Sequence, residues 1–337
     1  MLGDKGRTYG VNWIDINNDG FLDLFLIKGA PHENKIYLNN QDTSFSDYAG
    51  SAIRGDFGES TAAAWADYDK DGLVDVLICN HSGKNLLFHN DGNMQFTLVD
   101  FESNLGESTN TVGCNWIDFD GDGNLDVFIA NYSQANQLYR NLGDGTFEEI
   151  YAGQLVTDIE PTVSGSWCDI DNDGDLDLLT ANNVNMDNSF YINQGNGEFF
   201  KLGSWPFANN HNVFGGGTMA TWEDVDNDGD LDLFIAQPFG KNRLYIQDVD
   251  NNFDLLADEP VCNEVAYSIA AYWADYNNDG NLDLFIVNGG NYTNHCIGTM
   301  DCNPIMNLNQ HHTVTIVFLS NYKAFNPIHT ELVQKFR

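Results

Sequence analysis

Six copies of a short acidic segment, recurring about every 50 residues, constrain the fold of this chain more than any other feature. The first copy begins at Trp13 and ends at Leu24, with an Asp19-Gly20 pair at its centre. Each later copy begins at a tryptophan that lies 51 to 55 residues after the previous one, at Trp65, Trp116, Trp167, Trp222 and Trp273. A period of about 50 residues predicts a β-propeller or a solenoid with one structural unit per repeat.

A second motif follows each acidic segment at a nearly constant distance. Its first copy covers residues 34–39, which read Asn-Lys-Ile-Tyr-Leu-Asn, and Phe45 follows. The later copies grow weaker towards the end of the chain and cover residues 85–90, 136–141, 188–193, 242–247 and 303–307. In three copies a glycine-containing turn precedes the phenylalanine, as is typical between adjacent antiparallel strands.

Each unit is therefore expected to contain four short strands. In the first unit one strand ends at Ile14, two cover residues 22–27 and 35–38, and the fourth contains Phe45. No segment shows a sustained 3.6-residue period, and glycine and asparagine are frequent, so we expect almost no helix. Four antiparallel strands per repeat predict an all-β fold, a β-propeller of six four-stranded blades, with a seven-bladed or incomplete ring as the alternative.

The repeats assign residues 1–320 to the propeller and leave residues 321–337 outside the pattern. Residues 313–319 are expected to form the last strand of blade six. The basic residues of the final segment outnumber its single acid, Glu331, and the segment matches no repeat. We expect it to be a tail or the truncated edge of a longer protein.

The acidic segment, which lies between strands one and two of each unit, has the ligand spacing of a calcium loop. Its pattern is Asp-x-Asp/Asn-x-Asp-Gly-x-x-Asp, which places side-chain oxygens at loop positions 1, 3, 5 and 9. Calcium takes about six to eight oxygen ligands, and glycine at position 6 permits the sharp turn that gathers them. A turn capped by its own side chains would explain one such segment. Six clusters of four acidic or amide groups would be costly without cations, because the carboxylates repel each other.

All six loops are complete, and we predict about six calcium ions, one per blade, that stabilise the hairpins. Position 7 of each loop is expected to contribute its backbone carbonyl, so its side chain is free to vary. The predicted ligands of the first three loops are Asp15, Asn17, Asp19, Phe21, Asp23, Asp67, Asp69, Asp71, Leu73, Asp75, Asp118, Asp120, Asp122, Asn124 and Asp126. Those of the last three loops are Asp169, Asp171, Asp173, Asp175, Asp177, Asp224, Asp226, Asp228, Asp230, Asp232, Asp275, Asn277, Asp279, Asn281 and Asp283.

The two motifs together resemble those of the FG-GAP/VCBS repeat family of propellers, over residues 10–309. The calcium loop is similar to that of integrin α-subunit propellers, and the tryptophan before it and the acidity most resemble bacterial proteins akin to cartilage acidic protein. The resemblance implies that the loop aspartates and asparagines bind calcium and that the protein acts in adhesion or recognition. The Gly29-Ala30-Pro31 element occurs once and is not repeated as in integrins, so integrin-like partner binding does not carry over.

Composition excludes several classes of partner. The chain has 337 residues, with 50 acidic against 14 basic residues and a formal net charge of −36. Nucleic-acid binding and adsorption to anionic membranes both need a basic surface, so we expect neither. No apolar run is long enough to insert into a bilayer, and no hydrophobic leader opens the chain. Because such loops suit millimolar calcium, we expect an extracellular, cell-surface or periplasmic protein of which this chain is a fragment.

Three functions fit this sequence. The first is a calcium-binding extracellular propeller that recognises a protein or carbohydrate ligand. The second is a propeller polysaccharide lyase or hydrolase, which the absence of His-Glu-x-x-His, Gly-x-Ser-x-Gly and phosphate-loop motifs makes the less favoured. The third is a structural spacer of a larger surface protein. Catalytic residues would be sought in the loops that enter strand one, where a solvated acidic rim is the simpler interpretation: Arg7, Glu59, Glu107, Glu160, His211 and Glu264.

The cysteines are too sparse for a disulfide scaffold. Cys79, Cys114 and Cys168 lie beside apolar or tryptophan-containing strands and are expected to be single buried thiols. Cys296 and Cys302 lie in an irregular segment and could form a disulfide with each other. The six repeat tryptophans are expected to pack between blades rather than to bind sugar.

Overall fold

A computed structural model describes the chain over residues 8–55, 58–99, 110–183, 186–195, 197–203, 219–238, 240–256, 262, 268–275, 282–289 and 312–318. Two compact units divide the chain: residues 1–165 with 191–201, and residues 166–190 with 202–337. Among the described residues, helix comprises one turn of α-helix, α1 (Gln154–Thr157), one 3₁₀ turn (Ala52–Arg54) and the single helical residue Cys262. The prediction of an almost purely β-structure is confirmed for these residues.

Five four-stranded antiparallel sheets follow one another along the chain, each built from four consecutive strands paired in sequence order. We number these sheets as blades one to five. Their strands are β1 (Thr8–Ile14), β2 (Asp23–Lys28), β3 (Lys35–Asn39) and β4 (Phe45–Asp47); β5 (Ser60–Ala66), β6 (Asp75–Asn80), β7 (Leu86–Gly92) and β8 (Gln95–Leu98); β9 (Thr111–Ile117), β10 (Asp126–Asn131), β11 (Gln137–Asn141) and β12 (Phe147–Glu149); β13 (Thr162–Cys168), β14 (Asp177–Asn182), β15 (Ser189–Asn193) and β16 (Phe199–Lys201); and β17 (Met219–Glu223), β18 (Asp232–Ala236), β19 (Arg243–Gln247) and β20 (Phe253–Leu255).

The sixth sheet, blade six, shows three strands among the described residues. These are β21 (Ser268–Ala274), β22 (Asp283–Gly289) and β23 (His312–Phe318). Residues 313–319 were predicted to form the last strand of blade six, and β23 is the last strand of this sheet among the described residues. It pairs directly with β22, from Asp283 opposite Phe318 to Gly289 opposite His312. Strand three occupies this place beside the second strand in the other blades.

The second strand of each blade forms its buried centre. All six residues of β6, β10 and β14 are buried, as expected for strands covered on both faces. The first strands are mostly half-buried and rich in small residues, such as Ser-Thr-Ala-Ala-Ala-Trp-Ala in β5. Repeated four-stranded meanders with buried second strands are the blades of a β-propeller. The fold class predicted from the repeat is confirmed.

Aromatic side chains of the repeat join adjacent blades within the first compact unit. Trp65 of blade two meets Phe25 of blade one edge-on at 5.3 Å between ring centroids. Trp116 of blade three stacks on Tyr68 of blade two at 5.7 Å and 6°, and its Nε1 donates a hydrogen bond to the carbonyl of Ala64 at 3.1 Å. The expectation that these tryptophans pack between blades is confirmed for this pair of interfaces.

The described cysteines are all free thiols. Cys79, Cys168 and Cys262 are buried, and Cys114 is half-buried. Burial raises the pKa of the Cys79 thiol well above its ordinary value, and that of Cys168 as well. The predicted single thiols are therefore present, whereas the Cys296–Cys302 pair lies outside the described residues.

Candidate metal centres

The acidic segments of blades one to five form loops between strands one and two, as predicted. The first aspartate of each loop accepts backbone N–H groups from the far side of its own turn. In blade one, Asp15 Oδ1 accepts the N–H of Asp19 at 3.0 Å and Oδ2 accepts that of Gly20 at 2.8 Å. The same pair of bonds recurs around Asp67, Asp169 and Asp224. Each loop is thereby closed by its own ligand candidates.

Two loop positions adopt positive φ. The glycine at position 6 has φ between 86° and 102° in all five loops, which explains why only glycine occurs there. Position 4 also has positive φ and is occupied by Asn18, Lys70, Gly121, Asn172 and Asn227. Asparagine and glycine favour this left-handed region. Sequence reasoning missed this requirement, although the recurrence of asparagine at position 4 is its signature.

The aspartate at position 9 begins strand two and is buried. In blade three, Asp126 Oδ2 accepts the N–H of Phe119 in the loop at 3.1 Å, and Oδ1 accepts the N–H of Asn141 on β11 at 2.7 Å. The same two partners, one in the loop and one on strand three, are found for Asp23, Asp75 and Asp232. This carboxylate therefore ties the loop to the sheet in addition to its predicted role as a ligand.

Four of the described loops bring carboxylate oxygens within 4.8 Å of one another. The groups comprise loop positions 1, 3 and 9 in blades two, four and five, and positions 1, 3 and 5 in blade three: Asp67, Asp69 and Asp75; Asp169, Asp171 and Asp177; Asp224, Asp226 and Asp232; Asp118, Asp120 and Asp122. In blade one the predicted ligands bond within one turn, with Asn17 Nδ2 3.2 Å from Asp19 Oδ2. At position 7, the N–H groups of Phe21, Leu73, Asn124, Asp175 and Asp230 bond to the position-5 carboxylates. Of the predicted ligands of loop six, Asp275 and Asp283 are described, whereas Asn277, Asp279 and Asn281 lie outside the described residues.

The electrostatics of the loops favour a cation. Burial, together with neighbouring loop carboxylates, raises the pKa of Asp75 to about 6 and that of Asp126 and Asp232 to about 7. The pKa values of Asp171 and Asp226 are raised for the same reasons. A bound cation would favour the ionised form of each group.

One oxygen in blade three tests whether these residues fit a metal. Asp118 Oδ1 is buried and has no hydrogen-bond partner, although Oδ2 of the same carboxylate accepts the N–H of Gly123 at 2.9 Å. A buried carboxylate oxygen without a partner is costly unless a cation or water satisfies it. Calcium prefers oxygen ligands of this kind, so the donor set fits calcium.

Two asparagines of the second motif explain why that motif recurs. The first, represented by Asn85, accepts the N–H of Asn80 with Oδ1 at 2.9 Å and donates from Nδ2 to Oγ1 of Thr111 at 3.0 Å. Thr111 in turn donates to Oδ1 of Asn131 at 3.0 Å. A buried polar chain thus runs from strand three of one blade to strands one and two of the next. Its hydroxyl position, five residues before the repeat tryptophan, was missed from the sequence.

The second asparagine supports the loops themselves. Asn141 Nδ2 lies 3.1 Å from the carbonyl of Leu125 in its own loop and 2.9 Å from that of Tyr68 in the loop of the preceding blade. Asn193 contacts the carbonyl of Phe119 in the same way. The second motif therefore fixes the position of the acidic loops.

The residue before this second asparagine lies beside the loop on strand three. In blade two it is His89, whose Nε2 is 3.3 Å from Asp69 Oδ2. In blade three it is Arg140, whose Nε donates to Asp120 Oδ2 at 2.6 Å. The same repeat position is apolar in the other described blades, where Leu38, Ile192 and Ile246 occur. Blades two and three thus differ from the rest beside their loops.

The candidate rim of strand-one loops is only partly described. Glu59 accepts a hydrogen bond from the Tyr9 hydroxyl at 2.6 Å. The solvated-rim interpretation is wrong for Glu160, which is buried and forms an ion pair with Lys201. Lys201 also pairs with Asp158 at 2.9 Å, so its ammonium offsets the cost of burying Glu160. The other candidates, Arg7, Glu107, His211 and Glu264, lie outside the described residues.

Known proteins contain sequences similar to the repeats of this chain. An FG-GAP-like repeat model matches residues 15–78, 67–129, 118–180, 169–235 and 224–286. Cartilage acidic protein 1 of Homo sapiens is 28% identical over 179 residues, which cover 49% of this chain and 27% of that protein. The Xenopus tropicalis protein of the same name is 28% identical over 166 residues, covering 45% of this chain and 25% of its own. The matched part is thus under a third of these curated relatives.

Solved structures resemble the fold. A lectin from Agrocybe aegerita, studied for its recognition of non-reducing terminal N-acetylglucosamine, has a TM-score of 0.56 and 16% identity, covering 91% of this chain and 80% of its own. A luciferin-regenerating enzyme has a TM-score of 0.50 and 14% identity, covering 96% of both chains. These neighbours are β-propellers, and at such identity the likeness is one of fold alone. No helix of the described residues is long and apolar enough to cross a membrane.

Proposed function

Because the chain belongs to the FG-GAP-like repeat family, we propose that it is a calcium-stabilised propeller that recognises a protein or carbohydrate ligand outside the cytosol. The observation that carries the calcium part is the same loop in five blades, with carboxylates gathered within 4.8 Å in four of them. Each loop connects the first two strands of its blade. A cation that binds only the folded loop stabilises the folded protein.

The predicted ligands form a consistent set around each cation. The aspartates at positions 1, 3 and 5 and the buried aspartate at position 9 supply oxygens, and position 7 supplies a carbonyl. Water completes the shell, because the loops lack a glutamate at position 12. Bound calcium compensates part of the net charge of −36, which otherwise opposes the compact state.

An extracellular or periplasmic setting accords with these sites. Calcium modules outside the cell bind with dissociation constants of about 10⁻⁴ to 10⁻³ M, a range in which short loops without flanking helices function. The curated relatives are named for cartilage, and we propose a comparable role at a surface or in a matrix for this chain.

The recognition part is supported by the family and by the architecture of the chain. Rigid blades present connecting loops at their ends, where binding residues are commonly found. The strong negative charge favours ligands that are neutral or basic and disfavours polyanions.

A binding screen tests this function. The chain is applied to an array of glycans and matrix proteins in calcium at millimolar concentration and again after chelation, with a melting curve recorded in both buffers. A specific ligand bound in calcium and lost with the fold after chelation is the expected result. A chain that is folded in calcium but binds nothing would contradict the recognition role. Cleavage of a polysaccharide on the array would instead indicate the lyase or hydrolase activity.

A further inference from the structure

One metal centre differs chemically from the others. In blade two the residue beside the loop is His89, on β7, whereas blades one, four and five carry an aliphatic side chain there. Antiparallel pairing sets Val76 opposite Phe88, so the next residue on β7 reaches the loop that precedes β6. His89 is therefore placed beside the carboxylates by the sheet and not by the loop sequence.

The imidazole of His89 faces several carboxylates of that loop. Its Nε2 lies 3.3 Å from Asp69 Oδ2 and 3.8 Å from Asp71 Oδ2. One ligand atom from each of these three residues lies within 4.8 Å of the others. Ligands at about 2.0–2.2 Å from a tetrahedral zinc ion are roughly 3.3 Å apart, so these separations suit shared coordination.

The second ring nitrogen supplies an independent observation. His89 Nδ1 is buried and has no hydrogen-bond partner. Two further carboxylate oxygens lie just beyond hydrogen-bond distance, Asp75 Oδ1 at 3.7 Å and Asp91 Oδ1 at 3.9 Å. A histidine that ligates a metal through one nitrogen commonly donates the other N–H to a carboxylate. Asp75 and Asp91 are the carboxylates placed nearest to that nitrogen.

In blade three the residue at this position, Arg140, is a counter-ion of a loop carboxylate. Arg140 donates Nε–H to Asp120 Oδ2 at 2.6 Å, and its guanidinium lies 5.7 Å from the ring centroid of Phe119. Arginine neutralises a carboxylate but cannot ligate a metal. Histidine differs because neutral imidazole is a metal ligand that suits zinc and other first-row transition ions far better than it suits calcium.

We propose that the blade-two centre is a zinc site, formed by His89 Nε2 with the carboxylates of Asp69 and Asp71, while the other loops hold calcium. The proposal rests on the calcium function proposed above, since it assigns one of the same loops to a different ion. It predicts that zinc replaces calcium in one blade of six even when calcium is in large excess.

Metal counting on the full chain tests this site. The protein is loaded with zinc and calcium, dialysed against zinc-free buffer and analysed by atomic emission. The buffer contains calcium above the dissociation constants of about 10⁻⁴ to 10⁻³ M that are typical of extracellular modules. The wild type should retain one zinc ion per chain. His89→Leu, which copies the residue of blade one, should retain none, and His81→Gln, which changes an exposed histidine of the same blade, should retain it.

The outcomes separate this proposal from the calcium function. Zinc retained equally by the wild type and His89→Leu, or retained by neither, would overturn the zinc site while calcium is still bound. A chain that retains no calcium would contradict the calcium function itself. Melting in calcium establishes that His89→Leu is folded, and the nitrogen chemical shifts of the histidine rings provide a test without any variant. Zinc should move the Nε2 resonance of one histidine, and an unchanged spectrum would contradict the proposal.

Discussion

At the scale of single residues, the aspartate at loop position 9 has a second role that the other loop aspartates lack. Asp126 is fully buried, and both of its oxygens accept backbone N–H groups. Asp122, at position 5 of the same loop, is exposed and accepts one backbone N–H, that of Asn124, with Oδ1. The two carboxylates are both predicted calcium ligands, yet only the first also joins the loop to the sheet.

Replacing each by asparagine should therefore have different effects in metal-free protein. Asp126→Asn turns an amide NH₂ towards a backbone N–H and should cost about 1–3 kcal/mol of unfolding free energy even without calcium. Asp122→Asn keeps an oxygen for its single backbone partner and loses only an exposed side-chain bond from Asn124, so it should lower stability mainly when calcium is present. Denaturant unfolding with and without calcium measures both, and equal losses for the two variants in metal-free protein would contradict the second role.

The buried carboxyl groups also predict a pH dependence of the metal-free protein. Burial raises the pKa of Asp75 to about 6 and of Asp126 and Asp232 to about 7. A carboxyl group whose pKa is raised on folding stabilises the fold fully below its unfolded value near 4, and that contribution is lost as the pH rises through the folded value. Metal-free protein should therefore melt at a lower temperature at about pH 8 than at about pH 5.

Two comparisons test whether the buried carboxyl groups cause this pH dependence of the melting temperature. Calcium should flatten the pH dependence, because the cation favours the ionised carboxylates. Added salt screens repulsion among exposed charges and should leave the contribution of the buried groups largely intact. A metal-free protein that melts at a higher temperature at the alkaline pH would be inconsistent with this account.

At the scale of the strand, the second motif holds neighbouring blades together through buried amides. Asn136 accepts the N–H of Asn131 on β10 and donates to the hydroxyl of Thr162 on β13 at 3.1 Å. In the same way, the Asn34 amide donates a hydrogen bond to the hydroxyl of Ser60, and the Asn85 amide donates one to the hydroxyl of Thr111. Each asparagine thus forms hydrogen bonds within its own blade and with the first strand of the next blade.

Removing one such amide should weaken an inter-blade connection. Asn136→Leu keeps the approximate volume but leaves a buried N–H and a buried hydroxyl without this partner, and should cost about 1–3 kcal/mol. The matched control is Asn40→Leu, at an exposed asparagine of blade one, which should change stability by less than about 0.5 kcal/mol. Thermal unfolding in calcium measures the stability of both variants. Similar losses for the two would show that the buried hydrogen bonds between blades contribute little.

The elements themselves were largely predictable, because tryptophan and asparagine mark the same points in each repeat. The strands of blade one differ from their predicted bounds by one residue, as in β2 (Asp23–Lys28) and β3 (Lys35–Asn39). The pairing of β23 was not predictable, because the last copy of the second motif is degenerate and the sequence does not show which strand adjoins β22. The burial of Glu160 depends on Lys201, which lies 41 residues away along the chain.

At the scale of the whole molecule, the repeat predicted the fold class, the loops and the ligand candidates. It could not predict the surroundings of each loop, because these depend on sheet register. His89 and Arg140 lie on strand three, more than a dozen residues after the loops that they contact. Their contacts with Asp69 and Asp120 depend on how strand three pairs in the sheet, which the repeat does not show. The same holds for Thr111, whose hydroxyl joins two blades.

The loops account for about half of the acidic residues of the whole chain. Each of the six loops contains three to five of the chain's 50 acidic residues, and these are available to cations. A metal-free chain with a net charge of −36 should be expanded by self-repulsion or marginally folded. Calcium is therefore expected to act on the fold as a whole.

Calcium in the repeated loops is expected to hold the blades together, and a calcium titration tests this expectation. Zinc-free full-length chain is stripped of metal and titrated with calcium, while bound calcium and the melting temperature are recorded together. We expect about six calcium ions per chain and a melting temperature that rises with occupancy and falls again on chelation. A chain that binds no calcium, or that melts at the same temperature with its loops filled and stripped, would contradict it.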